Sequence, residues 1–193
     1  MMKKINSYDK FDHEIEFCMS YSHRCMTHFY GFVQNNDKIT GFIYQFMCNG
    51  SLESYVNSNP EKINEIFCLT TINRITQAIM YLHSNSMIHR DIKPSNILLD
   101  QDFVPYLSDF DTIRPVNFDD SKKAEKNFTG NIGSFNYVSP EQYDSNNYSY
   151  PTDIYSLGAV FYFLFTKEIP SNKTSWKEIP ENYQNIIKNC LYH

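Results

Sequence analysis

One run of eight residues, HRDIKPSN from His89 to Asn96, concentrates the chemistry of this chain. It sets a carboxylate at Asp91, an ammonium two positions on at Lys93 and a carboxamide at Asn96, in a short stretch where Pro94 interrupts regular hydrogen bonding. Such a set can hold a hydroxyl, a phosphate and a hard metal ion together. Thirteen residues beyond Asn96 comes a second acidic group, Ser108-Asp109-Phe110-Asp111. Each taken alone is an ordinary loop cap or solvated charge. Their joint occurrence in this order carries the reading.

Elements must position these groups, and the apolar spacing predicts them. Phe11, Ile15, Cys18 and Met19 recur at helical spacing, with Asp9 or Asp12 as cap. A strand from Phe29 to Val33, a turn at Asn35-Asn36-Asp37 and a strand from Ile39 to Met47 read as an antiparallel hairpin. Ser51 is placed to cap a short helix running through Val56. From Glu61 to Asn85 a long amphipathic helix is predicted on Ile63, Ile66, Phe67, Thr70, Ile75, Ala78, Ile79 and Leu82, and it delivers the chain into HRDIKPSN. Ile97-Leu98-Leu99 and Val104 to Leu107 read as short strands joined by a tight turn. The polar stretch from Thr112 to Phe135 reads as a long loop. A buried helix starts near Asp153, and a last helical pattern runs from Tyr183 to Leu191.

Composition narrows the function classes. With 193 residues, 41% hydrophobic, 15 Tyr and 15 Phe, the chain can bury one sizeable core. A net charge of -5 gives no basic field, so nucleic acid is not an expected partner. Five cysteines, odd in number and without CxxC spacing, suggest neither a disulfide framework nor a zinc site. Reduced thiols and a polar opening, MMKKINSYDKFDHE, fit an intracellular, cytoplasmic protein without a secretory leader. The apolar run from Ile154 to Phe165 falls short of the roughly 20 residues a membrane span needs.

HRDIKPSN resembles the catalytic loop of eukaryotic protein kinases nearly letter for letter. GSFNYVSPE (Gly133 to Glu141) resembles the end of that family's activation segment, and DIYSLG (Asp153 to Gly158) the start of the helix whose Asp anchors the catalytic loop. EIEFCMSYSHRCMTHFYGF, from Glu14, resembles the regulatory helix and the strand after it. Lys93 and Ser134 resemble the serine/threonine branch rather than the tyrosine kinases.

The resemblance implies an α+β fold over residues 11–193: a mainly helical C-terminal lobe (48–193) carrying a remnant N-terminal lobe (11–47) of one helix and a strand pair. It implies ATP and Mg2+ as cofactors and a protein hydroxyl as phosphate acceptor. Asp91 would be the base, Lys93 the cation at the transferring phosphate, and Asn96 and Asp109 the metal ligands. Gln45 to Met47 would form the hinge along adenine, Leu98 the floor, with Ser108 beside the metal and Tyr44 at the gatekeeper position. Glu14 would be the ion-pairing glutamate, and Cys18, Phe29, His89 and Phe110 a hydrophobic column. Phosphorylation at Thr129 would pair with Arg90, and Ser134 lies in the same regulatory segment.

Three departures accompany the match. No glycine-rich loop and no strand with a VAIK-like lysine is expected before Phe11. The helix whose Arg pairs with Glu141 is not reached by His193. The DFG glycine is Asp111. They motivate a second reading, a pseudokinase that scaffolds a regulatory protein partner. A third, a small-molecule phosphotransferase of the aminoglycoside or choline kinase kind, draws on DFD and is opposed by HRD, SPE and DIYSLG.

Overall fold

The computed structural model describes residues 2–4, 11–35, 38–116, 137–140, 149–170 and 175–192. Its upper part is a sheet with a helix beneath. Strands β2 (Phe29–Asn35) and β3 (Lys38–Tyr44) form the expected hairpin, pairing Phe32 with Phe42 and Phe29 with Tyr44. A further strand, β1 (Met2–Lys4), lies antiparallel on the other edge of β3, with Met2 opposite Ile43, Lys3 opposite Phe42 and Lys4 opposite Gly41. The sheet order is thus β1-β3-β2, three strands where a pair was predicted. Three residues are too few to show alternation in a sequence; what recruits them is the unpaired edge of β3.

Helix α1 (Phe11–Ser20) forms as predicted but turns a different face inward. Glu14, Phe17 and Cys18 are buried while Met19 is 67% exposed, and the Phe17 ring meets Phe110 at 5.4 Å. A carboxylate on the buried face is what hydrophobic spacing alone misassigns.

The lower part is mainly helical. Ser51 caps α2 (Leu52–Ser58) by accepting from the Ser54 amide at 3.2 Å. Helix α3 (Glu65–Ser84) starts later than predicted, because Pro60 opens a separate 3-10 turn over Pro60–Lys62 and Asn64 accepts from the Phe67 amide at 2.9 Å. Its buried face is Cys68, Thr71, Ile75, Ala78, Ile79 and Leu82; Ile66, 76% exposed, and Thr70 belong to the solvent side.

Strands β5 (Ile97–Leu99) and β6 (Pro105–Leu107) pair as expected, their turn closed by Asp100 Oδ1, which accepts from the amides of Asp102 and Val104 at 2.9 Å. A small pair was not foreseen: β4 (Met87–Ile88) with β7 (Arg114–Pro115), bracketing HRDIKPSN and SDFD.

Helix α4 (Tyr150–Thr166) is apolar nearly all round, and every residue from Ser156 to Thr166 is buried, as that pattern requires. It packs between α3 and α5 (Glu181–Leu191), the latter through Ile187 and Leu191. Among the described residues no helix is long and apolar enough to cross a membrane.

The α4–α5 contact is closest at Gly158, where an added Cβ would stand 2.5 Å from Cys190 Cβ and 3.4 Å from Leu191. Alanine is the better helix former by about 1 kcal/mol, but overpacking costs about 1–3 kcal/mol. Gly158→Ala should therefore lower the unfolding free energy by about 1 kcal/mol in urea denaturation; a more stable variant would show that the helices are not tightly opposed there.

Candidate active site

The loop HRDIKPSN hangs from one buried carboxylate on α4. Asp153 Oδ2 accepts from the His89 amide at 2.8 Å and lies 2.9 Å from His83 Nε2, while Oδ1 accepts from the Arg90 amide at 2.9 Å. Arg90 has φ 74°, a left-handed conformation that costs a non-glycine residue about 1–2 kcal/mol, and the Asp153 bonds flank it. Two further bonds tie this loop to the acidic segment: His89 Nε2 lies 3.2 Å from Ser108 O, and the Thr112 hydroxyl donates to His89 O at 2.7 Å.

Beyond Arg90 the three expected groups come together. Lys93 Nζ lies 2.8 Å from Asp91 Oδ2, and Asn96 Nδ2 donates to both Asp91 Oδ2 and Asp91 O at 2.8 Å. With its nitrogen turned to Asp91, the Asn96 amide points its oxygen the other way. Asn96 O in turn accepts from Ser108 N at 2.9 Å and Ser108 Oγ at 2.7 Å, which places Asp109 next to Asn96. Asp109 also has a positive φ, 65°, and heads the 3-10 turn Phe110–Thr112.

Between these loops and the sheet lies a cavity of about 220 Å³, lined by Glu14, Thr27, Tyr44, Gln45, Ser95, Asn96, Leu98, Ser108 and Asp109. Six predicted site residues meet there: Glu14, Gln45, Asn96, Leu98, Ser108 and Asp109. Met47 is buried outside the lining, and Asp91 and Lys93 adjoin it through Asn96. Oxygen donors from a carboxylate and an amide on one wall suit a hard divalent cation. Thr27 and Ser95 were not anticipated; Ser95 lies inside the quoted motif, whereas nothing near Thr27 in the sequence marks it.

Glu14 is fully buried and accepts from the Tyr44 hydroxyl at 2.7 Å, with Cys18 Sγ 3.3 Å from the same hydroxyl. Burial first, then Cys18 and Glu14, push the Tyr44 phenol far above its ordinary range, so it stays protonated. Ring contacts run from His89 to Phe110 (6.4 Å), Phe110 to Tyr44 (6.2 Å) and Tyr44 to Phe29 (5.4 Å). The expected column of Cys18, Phe29, His89 and Phe110 is thus joined by Tyr44, a member not foreseen.

The family model for the protein kinase domain matches residues 1–192. The chain belongs to the protein kinase family. Among curated proteins it is similar to a probable LIM domain-containing serine/threonine-protein kinase of Dictyostelium discoideum, 28% identical over 200 residues, taking in 94% of this chain and 20% of the relative. It is 26% identical over 191 residues to cysteine-rich receptor-like protein kinase 45 of Arabidopsis thaliana, covering 96% of this chain and 52% of the relative. It is 38% identical over 104 residues to eukaryotic translation initiation factor 2-alpha kinase 3 of Rattus norvegicus, covering 50% of this chain and 9% of the relative. The chain therefore spans at most about half the length of these relatives.

A short strand that carries lysines, β1 with the sequence Met-Lys-Lys, does precede Phe11. Residues opposite one another in a sheet share a face, and so do residues two apart. Lys3 stands opposite Phe42 in the pairing of β1 with β3, and Tyr44, two residues on from Phe42, reaches Glu14. Asp111, at the kinase glycine position, sits within the 3-10 turn without a positive φ, so this conformation does not need glycine. Thr129, Ser134 and Glu141 lie outside the described residues; Arg90 is buried.

Removing the Asp153 carboxylate leaves two buried amides without their acceptor. Each such loss costs about 1–3 kcal/mol, so Asp153→Ala should lower the unfolding free energy by about 3 kcal/mol or more. Asp153→Asn, which keeps one acceptor oxygen, should lose less. An unchanged urea midpoint for Asp153→Ala would contradict the anchoring role.

Proposed function

We propose that this kinase-family chain binds ATP with Mg2+ in the cavity below β3 and serves transfer of the γ-phosphoryl group to serine or threonine hydroxyls of proteins. The observation that carries the reading is the convergence of Asp91, Lys93 and Asn96 through 2.8 Å contacts, with Asn96 and Asp109 on the wall of one cavity. Phosphoryl transfer needs an aimed hydroxyl, held phosphates and neutralised charge, with little covalent work by the protein.

Each residue then has one task. Asp91, its side chain 28% exposed, orients the acceptor hydroxyl and takes its proton. Lys93, held by Asp91, presents its ammonium to the transferring group. Asn96 Oδ1 and the Asp109 carboxylate hold Mg2+, which when bound neutralises phosphate charge. Leu98 and the Gln45 segment face the adenine end, with Met47 supporting the connection from beneath. The relatives named as serine/threonine-protein kinases support the choice of acceptor.

A second reading rests on Asp111 in place of the kinase glycine. In it the chain keeps the cavity but works as a pseudokinase, binding a regulatory protein without transfer. A cytoplasmic setting fits both readings, given the free cysteines of the described residues.

Melting curves with and without Mg2+ and ATP test the site. Nucleotide at a hundredfold excess over its dissociation constant should stabilise the chain by about 2.7 kcal/mol, and Asp109→Ala should abolish the shift. No shift in the unmodified chain would refute nucleotide binding. Transfer is tested separately with labelled ATP and a serine/threonine peptide: Asp91→Asn should slow it by about 10²–10⁴-fold while leaving the thermal shift in place. A shift without transfer would select the scaffold reading.

A further inference from the structure

Glu14 and Cys18 stand four residues apart, one above the other on a single face of α1, and both meet the same atom: the hydroxyl of Tyr44, at 2.7 and 3.3 Å. Tyr44 is the last residue of β3, and its ring is fixed by Phe29 and Phe42 of the sheet and by Phe110 next to the metal-binding carboxylate. A helix of ten residues is marginal by itself in water, so α1 takes its place from tertiary contacts. We propose that Tyr44 is a positioning residue: its hydroxyl latches α1 to β3 and thereby sets where Glu14 stands on the wall of the cavity.

The latch needs no signal from outside the fold. The phenol stays protonated because burial disfavours its anion, so it remains a donor to Glu14. One residue thus reads three elements together: α1 through its hydroxyl, the sheet through Phe29 and Phe42, and the metal segment through Phe110. A shift of α1 away from the cavity would break the Glu14 bond and leave the hydroxyl buried without its carboxyl acceptor.

Tyr44→Phe keeps the ring and removes only the oxygen, which isolates the latch from the packing. In hydrogen–deuterium exchange on the full chain, Tyr44→Phe should quicken the α1 amides by about tenfold, the factor a lost buried hydrogen bond gives, while α3 and α4 stay near their original rates. Cys18→Ala, which leaves the Glu14 bond intact, should quicken α1 less. Unchanged α1 exchange in Tyr44→Phe, an equal rise in α1, α3 and α4, or a larger effect from Cys18→Ala would overturn the latch.

A kinetic arm rests on the transfer activity proposed above. There Tyr44→Phe should lower kcat with little change in KM for the acceptor peptide, and an unaltered kcat would count against the proposal. Failure of the unmodified chain to transfer phosphate would sink that activity instead, and the exchange result would then decide the latch.

Discussion

A single carboxylate, Asp153, bears the geometry of this molecule. It is fully buried, and an isolated buried charge is unfavourable by many kcal/mol unless its lone pairs are filled. Here two backbone amides and an imidazole fill them, from the loop and from the last turn of α3. The arrangement joins α4, a helix whose residues from Ser156 to Thr166 are all buried, to an irregular loop that has no ladder of its own. The left-handed turn at Arg90 is sustained by these bonds, and Asp91 leaves it with its direction already set.

From that anchor the order spreads by backbone bonds more than by side chains. Asn96 O, Ser108 O and His89 O are all used to bind the catalytic loop to the acidic segment, and the two-residue strands β4 and β7 close the bracket around both. Asp91 and Asp109 are therefore held in one frame although a turn and two strands separate them in sequence. The rings of Phe110 and Tyr44 continue the frame into the sheet, where α1 meets it through the Tyr44 hydroxyl. Aromatic contacts fill space with little loss of rotamer freedom, which suits a junction between a helix and a loop.

What could be read from the sequence was whatever is local. HRDIKPSN and SDFD are each an unbroken run and lie only eleven residues apart, so their assembly at one cavity was foreseeable; α4 declared itself by an apolar run, and Ser51 by its place before a helix. The errors lie where a residue's neighbour is distant. Tyr44 joins the ring column because Glu14, thirty residues away, accepts from its hydroxyl and Cys18, twenty-six residues away, packs its sulfur against the same oxygen. Strand β1 exists only because β3 offers an edge. The helical spacing places Met19 inward and passes over Glu14, since periodicity cannot say that a carboxyl on the buried stripe has a partner. The late start of α3 shows the opposite case: Pro60 and Asn64 were local signals, overridden by an apolar stripe that began too soon.

The lysine doublet on β1 has a consequence of its own. In a strand, sliding by one residue exchanges the two faces, so most short edge strands lose their function when they slip. Lys3 and Lys4 are neighbours, and a slip of one position against β3 would bring Lys4 to the register place opposite Phe42 that Lys3 holds. A lysine then stands opposite Phe42 in either register. A three-residue strand, too brief to enforce its own alignment, is written so that misalignment conserves charge.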